Sequence, residues 1–263
     1  MPSRPAAAGA ALALGALLAA LVPAPAAAVE EGGLLRLAHL SPDTAEVDVV
    51  VAADAGGSFE LTDVGYGVVS AYQELEPGGY TISMIPAGTD PASAPPVISA
   101  AIDVTAGRAL TVAAYGPNDA LQASVFEDDL TPPAEGQARV RVLQASTVSD
   151  PVTVRTTAGE VLAEQADTGE ASGYAALPAG TRTVELSGSG GASASADVDL
   201  AAGTVSTLLV LDTADGGLTA TAVVDSAATA QRPIGGVDTG GGWLAQAESA
   251  PSLAVPRGAL LAV

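Results

Sequence analysis

The sequence predicts an all-β protein built from two tandem antiparallel β-sandwiches. Short runs rich in Val, Thr, Ile and Leu are broken about every eight to twelve residues by Gly, Pro, Asp or Asn, which is typical of short strands and tight turns. The same succession of runs occurs twice, and neither copy shows a sustained helical period with caps. These observations predict one sandwich domain in each copy.

The two copies align along their whole length. Arg36 matches Arg141 and Gly107 matches Gly203, so equivalent residues lie about 96 to 105 positions apart. The matched segments are 34–53 with 138–157, 68–89 with 170–190, and 98–129 with 194–225. About seven or eight strands per copy predict an immunoglobulin-like or transthyretin-like sandwich. The predicted domains are therefore 34–129 and 137–226.

Residues 1–28 have the pattern of a cleaved secretory signal peptide. Arg4 precedes an apolar stretch from Ala6 to Val22, and small residues at Ala26 and Ala28 form the cleavage site. We therefore expect an exported protein, either secreted or held at the cell surface.

The alternation also predicts the individual strands and connections. Candidate strands in the first copy are 34–41, 47–52, 58–63, 68–75, 79–86, 97–104, 109–115 and 121–128. The linker TPPAEGQ at 131–137 is short and contains paired prolines, so we expect the two sandwiches to lie end to end with little hinge motion. Residues 227–263 are rich in Gly and Ala without periodicity, which predicts a disordered tail. No segment of the mature chain is long enough to span a bilayer.

The segment LEPGGY predicts a tyrosine corner, in which the hydroxyl of Tyr80 bonds the backbone a few residues upstream. The second copy keeps the turn residues Pro178 and Gly180. Alignment on that turn places Thr181 opposite Tyr80, so a weaker second corner is expected.

Composition restricts the function. The chain has 30 acidic residues against nine Lys and Arg, with a net charge of −21. This charge repels nucleic acid and anionic lipid, and it favours cations or basic partners. Because there is no cysteine, each domain must be held by its apolar core without disulfides, and thiolate metal ligands are excluded. We expect no cofactor.

The single histidine, His39, lies at the end of the first strand. Alternation places it on the apolar face, and Ser41, Pro42 and Asp43 have the residue types of a turn. Asp48 should face away from the core. We interpret His39 as a packed, hydrogen-bonded residue beside this turn. A serine triad is disfavoured because Ser41 is only two residues away and no G-x-S-x-G motif occurs.

Calcium is a more serious alternative than zinc, since it takes carboxylate and carbonyl oxygens. The weak candidates for a calcium or ligand site are Asp43, Asp48, Asn118, Asp119, Glu127, Asp128 and Asp129. None of them falls in a twelve-residue calcium loop, and solvated acidic turns are the simpler interpretation. Carboxylate pairs of the glycoside hydrolase type stay open, because the sequence does not give the separation of two acids.

Three segments of the first copy resemble a known family. RLAHLSPDTAEVDVVV, VSAYQELEPGGYTISM and VTAGRALTVAAYG are similar to the bacterial exported domain-of-unknown-function family numbered 4397. The resemblance implies an exported or cell-surface β-sandwich protein, commonly in tandem copies, and no established activity. The second copy is divergent, since LQASTVSDPVTV lacks the histidine and the Ser-Pro-Asp.

Two functional hypotheses follow. The first is a non-enzymatic structural, binding or adhesion module that holds a protein or another component of the cell envelope. The second is a hydrolase, or a ligand- or calcium-binding domain, with a site near His39, Asp43 and Asp48.

Overall fold

A computed structural model describes residues 32–226, which form strands joined by tight turns, and it confirms the predicted all-β fold with two tandem sandwiches. The alternating sequence explains this fold, because each strand turns one row of apolar side chains inward. The predicted signal peptide (1–28) and tail (227–263) lie outside the described residues.

Domain 1 contains nine strands within the described residues. They are β1 (Gly33–Leu40), β2 (Val47–Ala53), β3 (Ser58–Val64), β4 (Val68–Val69), β5 (Gln73–Leu75), β6 (Gly78–Pro86), β7 (Ile98–Val104), β8 (Ala109–Tyr115) and β9 (Gln122–Asp128). The candidate strands of the sequence occur at these positions to within about one residue, except that 68–75 is split into β4 and β5.

Two sheets pack face to face in domain 1. Sheet 1 has the order β4-β1-β8-β9, with β5 also paired to β1, and sheet 2 has the order β3-β2-β6-β7. Their inner faces form an apolar core that includes Leu35, Val49, Ile82 and Val112. Burial of apolar surface contributes about 25 cal/mol per Å², and it stabilises the sandwich without any disulfide.

Domain 2 repeats this arrangement. Its strands are β10 (Gln137–Gln144), β11 (Val152–Thr156), β12 (Val161–Ala166), β13 (Ala175–Pro178), β14 (Gly180–Gly188), β15 (Ser193–Leu200), β16 (Val205–Asp212) and β17 (Leu218–Ser226). Sheet 3 has the order β13-β10-β16-β17, and sheet 4 has the order β12-β11-β14-β15. The core between them includes Val140, Val154, Leu186 and Leu208.

One pair of strands in each domain runs parallel, which corrects the prediction of purely antiparallel sandwiches. β1 pairs with β8 so that Arg36 lies opposite Thr111, and β10 pairs with β16 so that Arg141 lies opposite Thr207. A hairpin makes its two strands antiparallel, but β1 and β8 are separated by the strands of sheet 2. No hairpin therefore sets their relative direction.

The domains pack through sheets 1 and 3 rather than end to end, which corrects the expected arrangement. Ala38 and Leu40, on the outer face of β1, join an apolar cluster with Leu143 and Leu209 of domain 2. β1 is buried on both faces, as its nearly unbroken apolar run allows. The result is a stack of four sheets. Linker composition indicated stiffness, but it held no information about which faces meet.

Candidate functional site

His39 holds together the turn that follows β1. Its Nδ1 accepts a hydrogen bond from the Ser41 backbone N–H at 3.4 Å, and its Nε2 lies 3.3 Å from the Ala45 carbonyl oxygen. Since a carbonyl oxygen can only accept, the ring is the neutral Nε2–H tautomer. Burial lowers the pKa of His39, although hydrogen bonds to the backbone of Ala45 and Thr44 act in the opposite direction. Pro42 is half-buried within the same turn.

The polar residues after His39 bond one another and a second loop. Ser41 Oγ is 2.7 Å from Thr44 Oγ1, which donates to Asn118 Oδ1 at 3.1 Å. Asp43 Oδ1 accepts the backbone N–H of Asn118 at 2.8 Å. The turn after β1 is thereby fastened to the loop between β8 and β9, and the structure brings Asp43 and Asn118 together as structural partners.

Asp48 is buried on the face of β2 opposite to Val47 and Val49. Its two carboxylate oxygens accept the backbone N–H groups of Asp63 at 2.9 Å and Gly88 at 2.8 Å. These bonds join β2 to the end of β3 and to the loop after β6. A buried carboxylate with both oxygens engaged in this way supports the fold, since buried donors need partners.

Gln144 occupies the position of His39 in domain 2. Its Oε1 accepts the backbone N–H of Ser146 at 2.9 Å, and its Nε2 donates to the Ser149 carbonyl oxygen at 2.9 Å. His39 makes the same two kinds of hydrogen bond. It accepts from an N–H two residues later in the chain and donates to a carbonyl oxygen in the following loop. An amide has no useful acid or base chemistry near neutral pH. The contacts at this position therefore require only a donor and an acceptor.

A small apolar cavity lies beside His39 between the two sheets of domain 1. Its volume is about 20 Å³, and its walls include Val49, Met84 and Ala114. A cavity of this size has room for about one water molecule. It therefore does not accommodate a substrate.

At the corner position of each domain a side chain bonds a backbone carbonyl four residues upstream. Tyr80 Oη donates to the Glu76 carbonyl oxygen at 2.8 Å. In domain 2, strand pairing places Arg182 at the position of Tyr80, and its Nη2 and Nε lie 2.8 and 3.2 Å from the Pro178 carbonyl oxygen. The expected exchange of Tyr80 for Thr181 is wrong, because aligning the prolines shifted the turn by one residue. A guanidinium replaces the phenol and bonds the equivalent carbonyl.

Two of the acidic candidates are paired with arginines at the surface. Glu127 pairs with Arg108, and Asp129 Oδ2 lies 2.6 Å from Arg139 Nη2. The hydrogen bond from Arg139 lowers the pKa of Asp129. Asp119 is exposed in a single 3-10 turn. The described part of the chain has no group of three or more His, Cys, Asp or Glu side chains placed to hold a metal ion.

The charged residues of greatest interest lie between the domains. Arg36 Nη2 is 2.7 Å from Asp225 Oδ1, and Arg141 pairs with Asp128. All four side chains are buried, with at most 7% of any residue exposed. Asp128 was expected in a solvated turn, but alternation along β9 places it on the face that domain 2 covers. We call these four residues, with the threonines and tyrosines described next and the apolar cluster around them, the joint.

Two threonines link the charges of the joint. Thr111 Oγ1 accepts from Nε of the domain 1 arginine at 2.8 Å and donates to the domain 1 aspartate at 2.6 Å. Thr207 makes the same bonds in domain 2, at 3.0 and 2.8 Å. Asp225 Oδ1 accepts no hydrogen bond of regular geometry and is held by its ion pair with Arg36.

A tyrosine covers the arginine of each domain. The guanidinium carbon of Arg36 lies 4.7 Å from the ring centre of Tyr72, and that of Arg141 lies 5.1 Å from the ring centre of Tyr174. The two hydroxyls donate to the aspartates of their own domains at 2.6 and 3.3 Å. Burial raises the pKa of both tyrosines well above the usual range. They therefore stay neutral and act as donors.

The joint was not predicted from the sequence, although the sequence contains a signal for it. Arg36 and Arg141 occupy the same position in both copies, and the two faces of β1 are otherwise largely apolar. A strand with two apolar faces is buried on both sides. A charge repeated in that setting indicates a buried partner of opposite charge.

A family model described as "Domain of unknown function (DUF4397)" matches residues 33–155 and, a second time, residues 140–233. The chain belongs to this family. The resemblance noted in the opening segments is confirmed, and the internal repeat is a repeat of the DUF4397 domain. The described joint is thus a contact between two DUF4397 domains of one chain.

No curated protein matches the chain. Among solved structures, a candidate cell adhesion protein from Bacteroides fragilis shares 12% identity, with 71% of this chain and 86% of that chain covered and a TM-score of 0.19. A second one, from Bacteroides eggerthii, shares 9% identity, with 74% and 95% covered and a TM-score of 0.19. At these TM-scores neither likeness informs the function of this chain.

Proposed function

We propose that this chain is an exported, non-enzymatic module that acts as a structural or binding protein of the cell envelope. The observation that carries the proposal is that the side chains that could do chemistry are engaged in contacts within the chain. The buried histidine, serine, aspartate and arginine side chains of domain 1 described above bond the chain's own backbone or one another.

The geometry around His39 supports a structural role. A hydrolase of the serine type needs a nucleophile hydrogen-bonded to its base. Ser41 Oγ bonds Thr44 instead, while both ring nitrogens of His39 face backbone groups. The replacement of His39 by Gln144 in domain 2 supports the same conclusion, because the amide retains the contacts without acid or base chemistry near neutral pH.

The joint supports a role in presenting surfaces. Desolvating a charge is costly, and a buried ion pair stabilises little beyond an apolar contact of similar shape, but it selects one geometry. In this proposal the joint fixes sheets 2 and 4 at opposite sides of one rigid body. Their outer faces carry exposed acids such as Asp103 and Asp197. A basic or cationic partner suits such a surface.

Export rests on the sequence of residues 1–28, and the absence of cysteine leaves the fold independent of redox conditions. No helix in the described residues has the length and hydropathy needed to cross a membrane.

Affinity capture tests the proposal. The chain from residue 29 onward, immobilised as bait, is incubated with envelope extracts and culture medium of the producing cell, with and without calcium. The matched bait is His39→Gln, which keeps a donor and an acceptor at that position. The same two proteins are assayed for hydrolysis of ester, peptide and glycoside substrates.

The proposal predicts one enriched envelope component, held equally by both baits, and no hydrolysis by either. Capture or hydrolysis that is lost in a correctly folded His39→Gln variant would instead support a site at His39. Dependence on calcium would direct attention to Asp43 and the neighbouring loop.

A further inference from the structure

The joint is built from equivalent residues that cross between the domains. Arg36 of domain 1 meets Asp225, while the equivalent Arg141 of domain 2 meets Asp128. The apolar contacts cross in the same way. Leu211 Cδ1 lies 3.6 Å from the position of a Cβ at Gly67, and Tyr115 packs directly against the equivalent Gly169. The two faces are therefore related by an approximate two-fold axis.

Such a contact is complementary in charge to a second copy of itself. Each face presents one buried cation and one buried anion, and the two-fold relation brings each cation onto the anion of the other face. A DUF4397 domain of another chain therefore offers the charges that this face binds.

The sizes of the side chains decide which domain of the second chain fits. At three equivalent positions of the apolar cluster a small residue in one domain corresponds to a large one in the other. The pairs are Ala38 with Leu143, Leu40 with Ala145, and Ala113 with Leu209. Interiors are close-packed, so changes of volume are poorly tolerated. A domain 1 face thus fits domain 2 better than it fits another domain 1.

We propose that the partner of this surface is a second copy of the chain, and that two chains exchange domains into a closed dimer. Domain 1 of each chain then packs on domain 2 of the other, with the contacts of the joint unchanged. In the structure the segment between β9 and β10 is residues 129–136, and this short covalent connection raises the effective concentration of the two faces within one chain. Exchange therefore occurs where chains are crowded, or where the contact within one chain is weakened.

Charge reversal in the full chain provides the test. Arg36→Asp places two carboxylates at the Arg36–Asp225 contact, and Asp225→Arg places two guanidinium groups there. Within one chain neither variant can form this pair. A dimer of one chain of each kind contains one native pair and one reversed pair. The matched control carries both changes in one chain, so that the reversed pair forms internally.

The two variants are refolded separately and as an equal mixture, and masses are measured by native mass spectrometry. We expect a heterodimer of one chain of each kind in the mixture, at least tenfold more abundant than either homodimer. The doubly changed chain should be monomeric at the same concentration. Folded monomers alone in the mixture, with the doubly changed chain also folded, would overturn the proposal. Unfolded chains in the mixture would overturn it equally, because exchange should restore both pairs.

Discussion

Domains 1 and 2 differ in the side chains that fasten their loops and agree in the charged and hydrogen-bonding side chains of the joint. His39 and Gln144 make the same backbone contacts with different chemistry, as do Tyr80 and Arg182. In the joint, Arg, Thr, Asp and Tyr recur in both copies. A backbone group in a turn accepts any suitable donor, whereas a buried charge requires its opposite. The comparison therefore separates positions where only hydrogen bonding matters from positions where charge matters.

Removal of one buried arginine tests whether the two halves of the joint depend equally on charge. It should lower the free energy of unfolding more than any other change described below. Arg36→Ala leaves Asp225 buried without its cation, and a loss of about 3–5 kcal/mol in the free energy of unfolding is expected. Arg141→Ala should cost a similar amount. Urea denaturation followed by circular dichroism measures both. Arg155→Ala, at an exposed position on β11, is the control and should change stability by less than about 0.5 kcal/mol. A loss below about 1 kcal/mol for either joint variant contradicts the account.

Two equivalent glycines, Gly67 and Gly169, lie against the apolar cluster of the joint and sharpen the comparison of the two domains. Gly67 and Gly169 both have positive φ, at 78° and 85°, so alanine strains either backbone by about 1–2 kcal/mol. At Gly169 the added Cβ would also overlap the Tyr115 ring, whereas at Gly67 it would touch Leu211 at an ordinary distance. Gly169→Ala should therefore be the more destabilising variant in thermal denaturation. Equal melting temperatures would contradict the packing of Tyr115.

Variants at the two corners should lose less stability than variants at the joint, and the two losses should be similar. Tyr80→Phe removes one hydrogen bond to the Glu76 carbonyl, and Arg182→Met removes those to the Pro178 carbonyl. A loss of about 0.5–1.5 kcal/mol is expected for each. The measurement is again urea denaturation. If Thr181→Ala were more harmful than Arg182→Met, the assignment of Arg182 as the corner residue would be wrong.

The sequence was sufficient for much of the fold, because alternation and turn residues are local signals. Strand positions, the repeat and the Tyr80 corner could all be predicted from it. The parallel pairing of β1 with β8 depends on contacts between distant segments, which no local pattern encodes. The repeated arginines indicate buried partners of opposite charge, but they do not identify those partners. Asp128 was misplaced for that reason. A charge near a turn is normally solvated, but Asp128 is buried against Thr111 and Tyr72 of its own domain and Arg141 of domain 2.

The most direct test of the central claim, that His39 serves the fold as Gln144 does, is the stability of His39→Gln against pH. Burial lowers the pKa of His39, so the unfolded chain binds a proton more readily than the folded one. Stability of the natural chain should therefore fall as pH drops below about 6.5. We predict that the variant equals the natural chain within about 1 kcal/mol at pH 7.5, and that it loses less stability between pH 7 and 5. A large loss at pH 7.5, or an unchanged pH dependence, would contradict the account.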